Sequence, residues 1–446
     1  MRSFGRSTVA AGRGYRREPL HSRRLAAVAW RVAVATAVVA SAVVLSIKMV
    51  ASGAFLFDFN GDLYRAGHAI LHDHDPYQPR FLAALAAAKH AGRAVSPAFA
   101  VPVYPAPALL AAVPFSLLPD VLAGSLFMAL NVAAMVQGLR MLGVRDWRCF
   151  VVALASWPFL FGLVVGALGP LIVLGMGLAW RFRARLWTPA IALASVVVAK
   201  LFPWTVLVWL LVTRRFRTLA LALLIGAVGV LAAWAVIGFA GMGEYPRMLA
   251  NLSYVERGSG VSLVAALLGA GVPASVAEVV ALAATGLLLA IAYCFARRPG
   301  GDRQALGLTA IAALTASPVV WAHYLVLLFV PIALASPTLS AIWFVPLVTG
   351  VLADPRTNNL TEMLFWIALE AAVAIHLCLS AAPGSSVRLM NDHHRCLCMG
   401  EHGCGDAVGE MPRETVVTVG ADHDQARIVL LGSLDDPLPY GRGFDG

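Results

Sequence analysis

Two carboxylates stand close together in the first part of the chain and could do acid–base chemistry. Asp58 and Asp62 lie in the run Asp-Phe-Asn-Gly-Asp, which follows a long apolar stretch. Residues four apart share one face of a helix. A carboxylate that is partly withdrawn from water has a raised pKa and can act as a general base. The alternative is structural, because Asp is a common N-cap residue and Asp58 could simply begin a helix.

Polar side chains also interrupt later apolar segments. Lys200 begins the run Lys-Leu-Phe-Pro, and His323 ends the run Ser-Pro-Val-Val-Trp-Ala-His. Charge inside a membrane is costly enough to indicate function, and a Pro break frees backbone groups at a protein-lined cavity. Each residue has a plainer alternative, since Lys200 could snorkel to the membrane edge and His323 could be hydrogen-bonded across a helix bundle. Arg257 could contact a phosphate or sugar, or could belong to an ordinary solvated loop at 241–260.

Histidine and cysteine clusters raise the question of a metal. His68 and His72 have the i,i+4 spacing of zinc ligands on a helix, but the sequence fixes no third ligand. The stretch 393–404 holds Cys and His residues that could bind a soft metal, the alternative being a reduced, disordered tail.

The elements that must position these residues are apolar helices. The chain has 446 residues, of which 60% are hydrophobic and 13% charged. Soluble domains are nearer half apolar and a quarter charged, whereas segments this apolar and this long can cross a bilayer. The sequence predicts an all-α polytopic integral membrane protein of about ten to thirteen transmembrane helices. The apolar segments lie at about 25–48, 103–118, 120–140, 149–166, 168–181, 186–199, 203–213, 218–240, 261–272, 275–296, 304–316, 319–336, 338–353 and 359–380.

Charge predicts the orientation of these segments. Residues 1–24 carry seven Arg and one Glu, which places a basic N-terminus in the cytosol ahead of a membrane body at 25–382. The long hydrophilic loop 58–102 is then outside. Residues 385–446 hold five Arg and ten Asp or Glu, a net charge of −5, so we expect 383–446 to be a soluble, acidic, cytoplasmic tail that is largely disordered. The net charge of +10 comes from Arg clusters in short loops and does not predict nucleic-acid binding.

Several motifs in order resemble the actinobacterial polyprenyl-phosphate-mannose-dependent mannosyltransferases of glycosyltransferase family 87. The resemblance covers roughly residues 28–380. The chain departs from the family at Asp73, where Gly is frequent, at Ala106, where a second Pro is usual, and at 166–169, where the family has Gly-Gln-x-Asn. The matching motifs are Asp58…Tyr64…Ala66…Asp75-Pro76-Tyr77, Tyr104-Pro105-Ala106-Pro107, Lys200-Leu-Phe-Pro203 with Arg214-Arg215-Phe-Arg217, and Ser317-Pro318-Val-Val-Trp321-Ala-His323.

The resemblance implies a fold and a reaction. The fold is the GT-C class, a multi-helix membrane bundle with its site above a groove for a lipid-linked sugar. The reaction is inverting transfer, without a metal or other cofactor, from a polyprenyl-phosphate sugar, with mannose expected, to a glycolipid or glycan on the outer face of the plasma membrane. Asp58, with Asp62, would supply the general base. The donor phosphate or sugar would be bound by His323, Lys200, Arg257, Tyr64 and Tyr77.

Two other functions remain compatible with the sequence. A secondary transporter or lipid flippase also places broken helices and charges in the membrane, but it commonly has paired internal repeats, and we find none. An oligosaccharide polymerase or ligase would place its functional residues in a late outer loop. The chain has no Gly-x-x-x-x-Gly-Lys-Ser/Thr loop for ATP and no soluble nucleotide-binding unit, which favours a lipid-linked donor.

Overall fold

A computed structural model describes most of the predicted membrane body. The described residues are 47, 55–77, 79–91, 103–256, 260–347 and 360–380, with two strands in the tail. The chain divides into two compact units, 1–381 and 382–446. Almost all of the predicted first helix, 25–48, and the whole Cys/His stretch 393–404 lie outside the described residues.

The first unit is helical throughout its described part. A π-helical turn, Asp58–Tyr64, opens it, and 3-10 helices lie at Phe202–Thr205, Ala322–Leu328 and Ala341–Phe344. The α-helices of the first half are α1 Arg65–Leu71, α2 Pro79–Ala91, α3 Ala106–Ser116, α4 Asp120–Met141, α5 Trp147–Ala155, α6 Trp157–Val165, α7 Gly169–Arg181 and α8 Trp187–Ala199. Those of the second half are α9 Val206–Val212, α10 Phe216–Val236, α11 Tyr245–Glu256, α12 Leu263–Gly269, α13 Ala274–Ala296, α14 Asp302–Ala316, α15 Phe329–Ala335 and α16 Leu360–Leu379.

Three of the described helices, α4, α10 and α13, are long and apolar enough to cross a membrane. The pair α5 and α6 makes a fourth candidate, with a bend of 59° between its halves. The sequence predicted one unbroken segment at 149–166, and the bend corrects that prediction. Ser156 is extended, and Pro158, which has no N–H to donate, stands in the first turn of the second helix, Trp157–Val165. These apolar helices indicate a membrane protein.

The breaks predicted near Lys200 and Ser317 are confirmed. The α8 helix ends at Ala199, and the chain resumes as the 3-10 helix Phe202–Thr205, which packs against α14. The Thr205 hydroxyl donates to the Thr309 carbonyl at 2.8 Å. After α14 ends, the next helical turn starts only at Ala322. The first break therefore packs beside the middle of α14, and the second follows the C-terminal end of this helix.

The hydrophilic stretch 241–260 was predicted to be a loop, but most of it is the helix α11. Its Tyr245 and Met248 are buried, and the Tyr245 hydroxyl donates to the Val103 carbonyl at 3.0 Å. The Tyr245 ring also contacts the Trp234 ring, with centroids 5.8 Å apart. Burial of a few large side chains on one face holds a helix whose average composition is polar.

Helix pairs in the body pack closely: α4 against α7, α8 against α10, and α13 against α14. Small residues permit the first contact. A Cβ atom added at Gly177 would lie 2.6 Å from the Gly138 carbonyl oxygen. Membrane helices commonly approach through such small residues.

The second unit contains a two-stranded antiparallel hairpin that the sequence did not predict. Strand β1, Val417–Asp422, pairs with β2, Gln425–Leu430, and Val417 lies opposite Leu430. The disorder expected for the rest of the tail stays a prediction.

Candidate active site

The Asp58 turn is held against the end of α6 by unusual backbone geometry. Leu56 has a φ of +54°, and its N–H donates to the Val164 carbonyl at 2.7 Å. Gly166, which follows α6, has a φ of +78°, and a Cβ atom there would lie 2.5 Å from the Phe59 Cβ atom. A left-handed non-glycine residue and a π-helical turn are both features that concentrate at functional sites.

Asp58 is not a helix cap. Phe57 occupies the N-cap position with helical φ and ψ, and no side chain caps the turn. The Asp58 side chain keeps 20% of its surface exposed. Burial raises its pKa from the ordinary 3.8 to about 6, against an opposing effect of the Lys200 charge. Asp58 is therefore a partly accessible carboxylate with the pKa of a general base near neutral pH.

Asp62 lies deeper, one turn farther along. It is only 5% exposed, and the Val103 N–H donates a hydrogen bond to its carboxylate. Burial, with a further contribution from the Asp58 charge, raises the pKa of Asp62 well above its ordinary value. The backbone bond fixes Asp62 in place, so Asp58 is the carboxylate better placed to meet a substrate.

Lys200 is buried at the break after α8, where its backbone is extended. Its ammonium lies 3.9 Å from the centroid of the Tyr324 ring and 4.9 Å from that of the Tyr104 ring. It also donates a long, 3.4 Å hydrogen bond to the Tyr104 hydroxyl. Because the ammonium is enclosed by aromatic rings, Lys200 does not snorkel to an exposed edge.

His323 completes the cluster. Its Nε2 atom lies 3.7 Å from Asp58 Oδ2, which is longer than a hydrogen bond. The residue is 4% exposed, and neither ring nitrogen has a hydrogen-bond partner among the described residues. The alternative of a histidine bonded across the bundle is therefore not observed. A buried polar group without a partner is rare, and a ligand that supplies one is a common explanation.

The remaining predicted site residues are placed differently. Tyr64 donates its hydroxyl to the Leu118 carbonyl at 2.8 Å, and Tyr77 donates to the Tyr104 carbonyl at 2.8 Å. Both phenols thus support the 58–102 loop in this structure, and their binding role stays a prediction. Arg257 lies outside the described residues.

Sequence reasoning missed the two tyrosines around Lys200 and one amide. Tyr104 stands in the Tyr-Pro-Ala-Pro motif and Tyr324 directly follows His323, so their positions beside recognised motifs were the available signal. Phe202 stacks on the Tyr324 ring, with centroids 4.8 Å apart, and fixes it beside Lys200. The Asn60 side-chain oxygen, between Asp58 and Asp62, is buried and has no partner in the described part of the chain.

The loop histidines do not form a metal site in the described part of the chain. The His68 and His72 rings stack with centroids 4.3 Å apart, and a 3.0 Å contact joins His72 Nδ1 to the His68 carbonyl oxygen. Across the described residues, no group of three or more His, Cys, Asp or Glu side chains could hold a metal ion.

The cluster joins a carboxylate of raised pKa, a buried ammonium and an imidazole with no protein partner. A hydroxyl that contacts both Asp58 and His323 from one side could lose its proton to Asp58. An anion placed near Lys200 would meet a positive charge in surroundings of low polarity, where charges interact strongly. This combination suits proton abstraction coupled to departure of an anionic group.

Comparison with known proteins adds one finding. The model of glycosyltransferase family 87 matches residues 103–321, which include Tyr104 and Lys200. The match begins after the Asp58 turn and ends two residues before His323. No curated protein and no solved structure gives a significant match to the chain.

Proposed function

We propose that the protein is a membrane glycosyltransferase that uses a polyprenyl-phosphate sugar, a proposal supported by the match of the glycosyltransferase family 87 model to residues 103–321. The expected sugar is mannose, and the acceptor is a glycolipid or glycan on the outer face of the plasma membrane. The apolar helices provide the surroundings that a prenyl chain requires.

Asp58 acts as the general base in this proposal. It takes the proton of an acceptor hydroxyl, whose oxygen attacks the anomeric carbon of the donor sugar. The bond from that carbon to the phosphate oxygen breaks, and polyprenyl phosphate leaves with the electron pair. Attack on the side opposite the leaving group inverts the anomeric configuration.

Lys200 binds the donor phosphate in this proposal, and His323 binds a phosphate or hydroxyl oxygen. The Lys200 ammonium offsets the negative charge that grows on the leaving phosphate, and the rings of Tyr104 and Tyr324 hold it without neutralising it. A neutral imidazole has one donor and one acceptor nitrogen, so His323 can bind a hydroxyl or phosphate oxygen through its N–H.

The observation that carries the proposal is the unsatisfied state of this buried cluster. Asp58 and His323 face each other at 3.7 Å, and neither His323 nitrogen is bonded within the described structure. A donor or acceptor oxygen that bridges Asp58 and His323 Nε2 from one side would supply a partner to each, as expected for a site that is complete only with substrate.

The test is sugar transfer in membranes. Membranes with the wild-type protein or with Asp58→Ala receive radiolabelled polyprenyl-phosphate-mannose, and label in glycolipids is measured at equal protein amounts. Transfer by the wild type alone supports the proposal. Equal transfer by both proteins would show that Asp58 is not the general base, and Asp62→Asn would be the next variant to test. No transfer from this or other polyprenyl-phosphate sugars would contradict a glycosyltransferase and favour the transporter.

A further inference from the structure

A cavity with a mainly apolar lining and a few polar side chains is formed by residues other than Asp58, Lys200 and His323. Its volume is about 340 Å³, at the lower end of the ~300–1,000 Å³ range of small-molecule sites. Helices α2, α11, α12 and α13 and the end of α14 contribute to its walls. Its polar lining residues are Lys89, Ser253, Tyr254 and Glu278.

The cation in this cavity is fixed rather than free to move. Lys89 donates to the Asn251 side-chain oxygen at 2.8 Å, and its ammonium lies 5.3 Å from the centroid of the Tyr254 ring. An ammonium has three protons, so this bond leaves others for a ligand. The α2 and α11 helices pack against each other and hold these residues together.

The charge of the lining decides between ligand classes. Lys89 contributes one positive charge and Glu278, exposed on α13, contributes one negative charge, while the other lining residues that the structure describes are neutral. An anionic headgroup would be attracted by one and repelled by the other. A neutral polyhydroxylated molecule can accept from the ammonium and donate to the carboxylate through different hydroxyls. The Tyr254 ring offers an apolar face for the C–H surface of a sugar.

The cavity shares a wall with the break that carries His323. Ala316 and Pro318 line it, and His323 follows Pro318 by five residues. The Ser262 hydroxyl donates to the Pro318 carbonyl at 2.9 Å, and the Val261 N–H donates to the Val320 carbonyl at 2.6 Å. These two bonds fix the break, whose Pro318 lines the cavity and which leads to His323 in the Asp58 cluster.

We propose that this cavity is a sugar-binding subsite for the acceptor, which holds a residue of the acceptor glycan other than the one that is glycosylated. The inference rests on the proposed glycosyltransferase function. It assigns acceptor recognition to Lys89, Tyr254 and Glu278, and leaves the chemistry to Asp58.

Binding by the purified full chain tests the subsite without requiring transfer. The probe is a lipid-free α-linked mannose oligosaccharide, titrated calorimetrically in detergent. Glu278→Gln and Lys89→Met should each weaken binding at least about tenfold, because each removes a charge-assisted hydrogen bond. Glu244→Gln, which changes an exposed carboxylate outside the cavity, is the matched control and should bind as the wild type does.

Transfer kinetics separate failure of the subsite from failure of the function. In the transfer assay Glu278→Gln should raise the acceptor KM and leave kcat at saturating acceptor unchanged. If Asp58→Ala abolishes transfer while Glu278→Gln alters neither binding nor acceptor KM, the subsite is wrong and the function stands. If no protein transfers sugar but the two cavity variants still weaken oligosaccharide binding, the cavity binds sugar, while the proposed function and with it the acceptor role are wrong. Failure of the wild type to bind the oligosaccharide would overturn the subsite.

Discussion

Two charged clusters lie near opposite ends of α14 and differ in how well their groups are paired. Asp302 begins the helix, and both of its oxygens accept hydrogen bonds from Arg215, at 2.9 and 2.8 Å. Trp209 adds a further bond at 2.7 Å. Beyond the other end, about 20 Å away along the axis, His323 lies 3.7 Å from Asp58, and Lys200 lies 3.4 Å from the Tyr104 hydroxyl.

The difference supports the proposal that the Asp302 cluster is a structural ion pair and the Asp58 cluster a ligand site. The Asp302 cluster meets its hydrogen-bonding capacity within the protein, so removing one partner exposes an unpaired charge and lowers stability. The Asp58 cluster keeps buried polar groups unpaired, which costs stability in the free protein. Groups of that kind are retained where a substrate supplies the missing partners.

After replacement of Asp58 itself, replacement of Lys200 should have the largest effect on the transfer rate. Lys200→Met keeps an unbranched side chain, one atom shorter, and removes the charge that is proposed to offset the leaving phosphate. We expect the transfer rate to fall about 10²–10³-fold. The control is Tyr104→Phe, which removes the 3.4 Å hydroxyl contact and keeps the ring, and should change the rate only a few-fold. A Lys200→Met protein that transfers sugar at the wild-type rate would remove Lys200 from the reaction.

A pH change should have the next largest effect. A base must be deprotonated, and the pKa of Asp58 is about 6. The transfer rate should therefore fall about tenfold between pH 7 and pH 5. The stability contribution has the opposite sign: a pKa raised by folding stabilises the protein below the unfolded value near 3.8, and this contribution is lost as the pH rises through about 6.

The measurement is the rate across this range, with the unfolding temperature recorded at each pH. A folded protein whose rate is flat from pH 5 to pH 7 would contradict a base with this pKa. Asp146 is a useful contrast, because hydrogen bonds from Arg148 lower its pKa to about 2 and it stays ionised throughout.

Gly166→Ala should have the smallest effect on rate. A Cβ atom would meet Phe59 at 2.5 Å and displace the turn that carries Asp58. We expect a loss of about three- to fivefold in transfer rate and of about 1–3 kcal/mol in the free energy of unfolding. Gly143→Ala is the matched control, because Gly143 has a φ of +100° and no atom within 4 Å of the added Cβ. It should lose stability without losing rate, and equal rate losses in both variants would contradict the positioning role of Gly166.

Local patterns predicted much of the body from the sequence. The segments at 120–140, 168–181 and 275–296 coincide with α4, α7 and α13 within a residue or two, because long apolar runs bounded by Pro, Gly or Arg leave little choice of boundary. The breaks near Lys200 and Ser317 were predicted from Pro203 and Pro318, which interrupt the apolar segments there. The bend at Ser156 was missed although Pro158 was an available signal, because the apolar run continues on both sides of the bend.

The site could be predicted only in part. Asp58, Lys200 and His323 drew attention as polar residues beside breaks, but sequence gives no distances between segments more than a hundred residues apart. Tyr324 had no polar pattern of its own, and its role beside Lys200 depends on Phe202 stacking against it. The same dependence on burial explains α11, whose helix follows from Tyr245 and Met248 rather than from its average composition.

The most direct test of the account compares Asp58→Asn with Asp302→Asn in purified protein, measuring transfer rate per folded molecule and unfolding temperature. Asp58→Asn should lower the rate about 10²–10⁴-fold and leave the unfolding temperature unchanged or higher. Asp302→Asn should lower the free energy of unfolding by about 1.5–3 kcal/mol and keep the wild-type rate. A wild-type rate in Asp58→Asn, or an equal loss of rate in both variants, would contradict the assignment of one cluster to chemistry and the other to stability.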